Sequence, residues 1–293
     1  MLVAAGRTGH KAAVPEITDI FDRAARRRRR DRAQPAYRRF DFIRAAMLDG
    51  IAERLDSVKR DFADTLDLGC FDAGFTRPGA RIARLDPGFA FARAAGGVQA
   101  DEDRLPFADA SFDCVVSAGV LDQVNDLPGA LALARRVLRP DGLFLGAFVG
   151  GGSLPALRAA FRAAEADRPA ARVHPPIDVR SAGDLLVRAG FALPVADVET
   201  LEVDYGGFGT MLDDLRGMAA TNLLRTRVAL TRGTLAAAAA NFAAAADAAG
   251  RTHERVDIVF LTAWAPDASQ PKPAKRGSAT SSLAQALAQA REN

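Results

Sequence analysis

The stretches ADTLDLGC, residues 63 to 70, and ARIARLD, residues 80 to 86, decide the fold. Each is a short apolar run that ends at a glycine or an aspartate, which is typical of a buried strand that reaches a turn. The pattern recurs in GVQAD, residues 97 to 101, and in SFDCVVSA, residues 111 to 118. Helical stretches separate the later runs, so the alternation predicts an α/β fold built on a parallel sheet.

The pattern also suggests where the chain divides. The last strand-like run is VDIVFLTAW, residues 256 to 264, after which Pro, Lys, Ser and Ala dominate. We expect a disordered N-terminus over residues 1–16, a helical extension over 17–60, an α/β domain over 61–265 and a mostly flexible tail over 266–293.

Composition excludes several classes of protein. With 49% hydrophobic and 26% charged residues among 293, the chain is globular, and a net charge of +3 is too small to predict a nucleic-acid partner. Two cysteines and three scattered histidines cannot supply a cysteine-based zinc site, so we predict no metal site. His174, in VHPPID, is either a base in a substrate loop or a polar loop residue.

Hydropathy predicts no membrane span, because none of the apolar runs approaches the ~18 residues that a span needs. The Ala-rich stretch 235 to 249 is interrupted by Asn241 and Asp247. The first residues lack the charged and apolar regions of a secretory signal. Because the two cysteines cannot form a disulfide framework, we predict a reducing, cytoplasmic setting.

A run of five arginines, Arg26 to Arg30, lies on a predicted helix. Two interpretations remain open, a docking patch for an acidic partner and a solvated helix face. No aromatic residues are interleaved to stack on bases, which disfavours RNA binding.

Acidic residues follow successive predicted strands. Asp86 lies 17 positions after Gly69, close to the ~20 at which a carboxylate accepts both ribose hydroxyls in dinucleotide-binding folds. Asp101 and Glu102 end the third strand. Because a doubly wound sheet binds ligands outside the carboxyl ends of its strands, this pattern predicts a nucleotide-like ligand there.

Two motifs carry a family resemblance: LDLGC, residues 66 to 70, and ADEDRLPFADASFDCVVSAGVLDQVNDLPGALALARRVLRPDG, residues 100 to 142. They resemble the class I S-adenosylmethionine-dependent methyltransferases of the type 11 group. The resemblance implies a Rossmann-like seven-stranded methyltransferase fold, here with an N-terminal helical extension. It also implies S-adenosylmethionine as cofactor, with Asp86 on the ribose and Asp101 near the adenine amine. The cofactor-binding residues that it implies are Asp67, Gly69, Cys70, Asp86, Asp101, Glu102 and Ser117.

Segments outside this core resemble one branch more closely. IFDRA, residues 20 to 24, VNDLP, residues 124 to 128, and RGSATSSL, residues 276 to 283, are similar to the complex I assembly factor 5 family of protein-arginine hydroxylases and its bacterial relatives. That branch in turn resembles the malonyl-carrier-protein methyltransferase of biotin synthesis. The resemblance implies an enzyme that modifies a protein side chain, by methyl transfer or arginine hydroxylation. It implies a subunit of the respiratory NADH dehydrogenase as substrate.

The sequence also departs from the family. The usual GxGxG-like run after the first strand keeps only its first glycine, because Phe71 and Ala73 stand at the later positions. Pro78 and two glycines interrupt the next helix, since an interior proline removes a hydrogen bond. We therefore expect weak cofactor binding. The alternative is a non-catalytic assembly or scaffold protein with a degenerate cofactor pocket, and the residues indicate no catalytic side chain.

Overall fold

The structure is a computed structural model and describes residues 19–271 of the 293-residue chain. The expected N-terminal disorder lies outside the described residues, as does most of the expected tail. A short 3-10 helix, Gln34–Arg39, joins the first two α-helices. The helices are α1 (Arg23–Ala33), α2 (Phe42–Ser57), α3 (Phe89–Ala94), α4 (Leu127–Val137), α5 (Pro155–Ala164), α6 (Val179–Arg188), α7 (Phe208–Gly217) and α8 (Arg232–Ala244). The strands are β1 (Asp64–Leu68), β2 (Arg81–Asp86), β3 (Val98–Gln99), β4 (Phe112–Ala118), β5 (Leu138–Val149), β6 (Ala192–Tyr205) and β7 (Thr252–Trp264).

The strands form one seven-stranded sheet in the order β3-β2-β1-β4-β5-β7-β6. The first five strands run parallel, whereas β7 pairs antiparallel with both β5 and β6. The sheet is therefore mixed rather than wholly parallel. The Rossmann-like α/β fold that the sequence predicts is confirmed.

Both faces of the sheet are covered by helices, which explains why its strands are nearly continuous apolar runs. On one face Leu131 of α4 and Leu186 of α6 belong to a buried apolar cluster that also contains Leu66 and Leu68 of β1. On the other face α2 packs Met47, among others, against β4, β5 and β7. Each fully buried Leu or Met side chain contributes about 1.5–3 kcal/mol. This rigid frame fixes the positions of the strand ends.

A third cluster lies among α5, α7 and α8, where Phe208 packs edge-on against Phe161 and Phe242. The buried carboxylate of Glu254 on β7 accepts the backbone N–H of Leu157 at 2.6 Å, which satisfies a free donor in the first turn of α5. These helices therefore form a packed unit attached to the sheet. None of the helices in the described range is long and apolar enough to cross a membrane.

The connection between β1 and β2 contains no helix, as Pro78 predicts. Phe71 and Ala73 instead adopt positive φ angles of 46° and 62°. Residues other than glycine rarely take this left-handed conformation, which costs roughly 1–2 kcal/mol. Packing around Phe71 stabilises it, and that packing belongs to the site described next.

Candidate functional site

The parallel register brings the predicted site residues to one edge of the sheet. Gly69, just after β1, donates its backbone N–H to the Leu85 carbonyl at 2.8 Å. The Asp86 carbonyl accepts the N–H of Ala100 at 3.2 Å, which ties the end of β2 to the segment before Asp101. The predicted acidic residues are therefore neighbours at the carboxyl edge.

Asp86 is fully buried and accepts four hydrogen bonds. The Arg30 guanidinium binds both carboxylate oxygens, with Nε 2.8 Å from Oδ1 and Nη2 in contact with Oδ2. The backbone N–H groups of Phe71 and Gly88 donate at 2.9 and 2.7 Å. A carboxylate has about four acceptor positions, so Asp86 is saturated by the protein itself.

The acidic pair after β3 is also bound by arginines. Arg26 donates to both oxygens of Glu102 at 2.6 and 2.8 Å, and both side chains are buried. Arg27 Nη2 lies 2.7 Å from Asp101 Oδ2. Such charge-assisted pairs are the strong class of hydrogen bonds. The acids predicted to face the adenine therefore face helix α1.

The structure contradicts both interpretations of the arginine run, the solvated helix face and the docking patch. Arg26 and Arg30 are 4% and 1% exposed, so the run is neither a solvated face nor, at these positions, a free docking patch. Positions three, four and seven apart share one helix face, whereas Arg28 points to solvent. The sequence therefore contained a signal for this contact, namely arginines spaced along one helix face together with acids at the ends of the strands, and our sequence analysis did not use it. The arginines that bind the acids, together termed the arginine face of α1, are Arg23, Arg26, Arg27 and Arg30.

An aromatic cluster fills the space beside Asp86. The Phe71 ring stacks on Tyr37 at 4.8 Å and meets Phe91 edge-on at 5.3 Å. The Arg30 guanidinium carbon lies 3.7 Å from the Phe71 ring centroid, a cation–π contact. The residue that stands in a usual glycine position therefore holds Arg30 in place.

The other half of the carboxyl edge, around the ends of β1 and β4, has buried polar atoms without hydrogen-bond partners. Both carboxylate oxygens of Asp67 and the hydroxyl of Ser117 are buried without a hydrogen-bond partner. Burial raises the pKa of Asp67 to about 6, and Arg44 Nη2, 3.7 Å away, opposes that rise only partly. Cys70 is a buried free thiol whose pKa is also raised by burial, as expected for an unreactive cysteine. Unpaired buried polar atoms are costly, so this half is built to receive a polar ligand.

Replacing Asp67 with asparagine should change how stability depends on pH. A carboxyl whose pKa is raised in the folded state binds more protons there than in the unfolded chain, so its contribution to stability falls as pH rises from about 4 to about 6. Asp67→Asn removes that loss. Urea unfolding of both proteins should show the variant gaining on the wild type across this window. A constant difference from pH 4 to 7 would show that Asp67 has an ordinary pKa.

A cavity of about 400 Å³ adjoins this half through Arg44, which lies 3.7 Å from Asp67, and through Gly119, two residues after Ser117. Phe71 and Gly119, which follow β1 and β4, line it. Leu157, His174 and Tyr205 line it as well. Most of the exposed area of its wall is apolar, as in small-molecule binding sites, and several arginines also line it.

The charged groups of the cavity wall are mostly arginines. Arg29 and Arg158 have no carboxylate partner in the described part of the chain, and burial lowers the pKa of each. Asp122 is the one acidic residue that lines the cavity within residues 19–271. Its Oδ1 atom is buried without a partner, and burial raises its pKa to about 6. A cationic side chain in this cavity would find its counter-charge only at Asp122.

Of the two interpretations of His174, the structure favours a polar loop residue. Its Nε2 atom accepts the Leu223 N–H at 3.0 Å, and burial lowers its pKa to about 4. His253 pairs with Asp204 on the strand surface instead. Among residues 19–271, no group of three or more His, Cys, Asp or Glu side chains is placed to hold a metal ion.

The site fits S-adenosylmethionine at one end only. The unpaired oxygens of Asp67 and Ser117 fit a polar amino-acid group beside Gly69, where an added Cβ would lie 2.4 Å from Val120. The nucleoside end does not fit in this conformation, because Arg30 and Phe71 occupy the acceptor positions and the space at Asp86.

Comparison with known proteins supports the sequence resemblance. A family model described as a methyltransferase domain matches residues 66–146. Arginine-hydroxylase NDUFAF5, mitochondrial, from Danio rerio is 34% identical over 297 residues, which cover 95% of this chain and 92% of that protein. The Homo sapiens protein of the same name is 33% identical, with coverages of 96% and 87%.

A bacterial enzyme is also similar over most of its length. Malonyl-[acyl-carrier protein] O-methyltransferase from Laribacter hongkongensis is 34% identical, covering 87% of this chain and 94% of that protein. Among solved structures, YcgJ from Bacillus subtilis superimposes with a TM-score of 0.53 at 13% identity, covering 74% of this chain and 98% of that one. At this identity the likeness concerns the fold alone.

Proposed function

The chain belongs to the family of the mitochondrial arginine-hydroxylase NDUFAF5, within the class I S-adenosylmethionine-dependent methyltransferases, and on this premise we propose that it modifies a protein side chain during assembly of the respiratory NADH dehydrogenase. The proposed cofactor is S-adenosylmethionine. Its proposed binding residues are Asp67, Gly69, Cys70, Asp86, Asp101, Glu102 and Ser117.

One observation carries this proposal. Asp67 and Ser117 keep unpaired buried polar atoms at the carboxyl edge, next to a cavity large enough for a side chain. A protein that used this fold only as a scaffold would gain stability by pairing or removing those atoms. An arginine target in this cavity would pair with Asp122 against the repulsion of Arg29 and Arg158, so the identity of the target rests on the family and not on the charge of the cavity.

Deletion of the gene in its host tests this function. We expect less assembled NADH dehydrogenase, and recovery when the wild-type chain is restored. Mass spectrometry of the NADH dehydrogenase subunits should then find a side chain that is lighter in the deletion strain, by the mass of CH2 if it is normally methylated or of one oxygen atom if it is normally hydroxylated. Normal assembly in that strain would direct the search toward other acceptors.

A matched pair of variants sharpens this test. Asp67→Asn keeps the shape of the side chain but removes its charge, whereas Asp184→Asn makes the same change on the exposed face of α6. We expect Asp184→Asn to restore the modified side chain and Asp67→Asn to fail, with both proteins folded by circular dichroism.

The second candidate is a non-catalytic assembly or scaffold protein. The saturated carboxylate of Asp86 favours it, because no acceptor position is left there for a ribose. If this candidate is right, Asp67→Asn will restore assembly as well as the wild type does, and the subunits of the deletion strain will show no mass change.

A further inference from the structure

Helix α1 covers the acids at the nucleoside end through its arginine face. Besides the pairs to Asp86, Asp101 and Glu102, Arg23 donates to both oxygens of Asp103 at 2.7 and 2.6 Å. All four arginines of the arginine face therefore donate hydrogen bonds to acidic side chains. The opposite side of the helix, with Arg28 and Arg32, is exposed.

Helix α1 and a nucleoside need the same atoms. A ribose diol binds a carboxylate by donating two hydrogen bonds to its oxygens, and at Asp86 the Arg30 guanidinium holds both oxygens. The two occupants therefore exclude one another at Asp86. Only a departure of Arg30 frees acceptor positions there.

The contact between α1 and the acids consists of buried ion pairs and not of an apolar core. Well-packed apolar residues in place of a buried ion pair are often as stable or more stable, because burying two charges carries a large desolvation cost. Here the acids persist at 0% exposure for Asp86 and Glu102, and the oxygens of Asp67 nearby have no hydrogen-bond partner. The chain thus keeps buried carboxylates that could accept hydrogen bonds from a ligand in place of the arginines.

The start of α1 is held independently of these acids. The Asn125 side chain accepts the Phe21 N–H at 2.7 Å and donates to the Phe21 carbonyl at 3.1 Å. Asp22 caps the helix by accepting the Ala25 N–H at 2.8 Å. Arg26, Arg27 and Arg30 can therefore leave the acids while the beginning of the helix remains anchored and capped, once the contacts of Arg29 with Asn222 and of Asp31 with Ala90 are also released.

We propose that α1 is an autoinhibitory gate, whose arginine face occupies the nucleoside half of the cofactor site and must be displaced before a nucleoside binds at Asp86. This proposal rests on the proposed function, since it takes S-adenosylmethionine as the ligand. It explains why the acidic residues of the site are present although, in this conformation, arginines of α1 occupy their carboxylate oxygens.

Titration with S-adenosylhomocysteine tests the gate in the full-length chain. Arg26→Gln/Arg30→Gln should bind it at least about tenfold more tightly than the wild type, because the competent fraction of molecules rises. Arg28→Gln/Arg32→Gln, with the same changes on the exposed side of α1, should bind like the wild type. Arg30→Lys, which keeps the charge but loses the two-point contact, should lie between.

Hydrogen exchange of the wild type gives a readout that does not depend on the stability of any variant. At saturating S-adenosylhomocysteine, the amides of the second half of α1, residues 28–33, should lose protection. Equal affinities for the wild type and Arg26→Gln/Arg30→Gln, or unchanged protection of α1 on binding, would overturn the gate and leave the proposed cofactor in place. Absence of binding in every protein, including folded Arg26→Gln/Arg30→Gln, would overturn both the gate and the cofactor.

Discussion

Replacing Arg30 with alanine should lower the free energy of unfolding by about 3–5 kcal/mol, because removing one partner of a buried ion pair leaves the other charge uncompensated. Asp86 would keep only the N–H groups of Phe71 and Gly88, and the Phe71 ring would lose its cation–π partner. Urea unfolding measures this loss.

Arg28→Ala is the matched control for this prediction. It removes the same side chain from the same helix at an exposed position, where surface substitutions usually change stability by no more than about 0.5 kcal/mol. If Arg30→Ala were as mild as Arg28→Ala, the arginine face would not pack against the acids in solution.

Replacing Gly69 with alanine should cost about 2–5 kcal/mol, the sum of a left-handed backbone penalty and a steric one. Gly69 has a φ of 83°, and an added Cβ would lie 2.4 Å from Val120 Cγ1 and 2.7 Å from its Cγ2. Val120 is itself fully buried, so it cannot easily move away. Denaturant unfolding again provides the measurement.

Gly79→Ala separates the two contributions. Gly79 has a similar φ of 78°, but an added Cβ there would meet no atom within 4 Å. It should therefore cost only the backbone penalty of about 1–2 kcal/mol. Equal losses for the two variants would show that Val120 does not press on the loop after β1.

The strands were predictable because their signals are local. Apolar runs bounded by turn residues marked β1 and β2 to within a residue or so of Asp64–Leu68 and Arg81–Asp86. Pro78 likewise predicted the missing helix after β1, since the effect of a proline on a helix depends only on neighbouring residues. The antiparallel placement of β7 depends on the whole sheet and had no such local signal.

The convergence of the acidic residues followed from topology, because the ends of parallel strands meet at one edge. The topology did not, however, predict which side chains bind the acids at that edge. Arg30 and Asp86 are 56 positions apart, and Arg26 and Glu102 are 76 apart. Ion pairs at such separations are set by how α1 docks on the sheet, so the arginine run alone suggested a surface feature.

Phe71 shows the same limit in another way. Its position identified a lost glycine, and from the sequence this indicated only a weaker cofactor loop. The structure adds that its ring joins Tyr37 and Phe91 in a cluster that supports Arg30. A substitution that removes one contact can thus create another, and only the packed structure shows which.

The most direct test of the account is a calorimetric titration of the wild type and of Asp86→Ala with S-adenosylmethionine. We expect measurable heat for the wild type and binding weaker by about 1.5–3 kcal/mol for Asp86→Ala, because the ribose loses a charged hydrogen-bond acceptor. Both proteins should be confirmed as folded at the temperature of the titration. No heat from either protein, nor from folded Arg26→Gln/Arg30→Gln, at millimolar S-adenosylmethionine would contradict the account and favour the scaffold alternative.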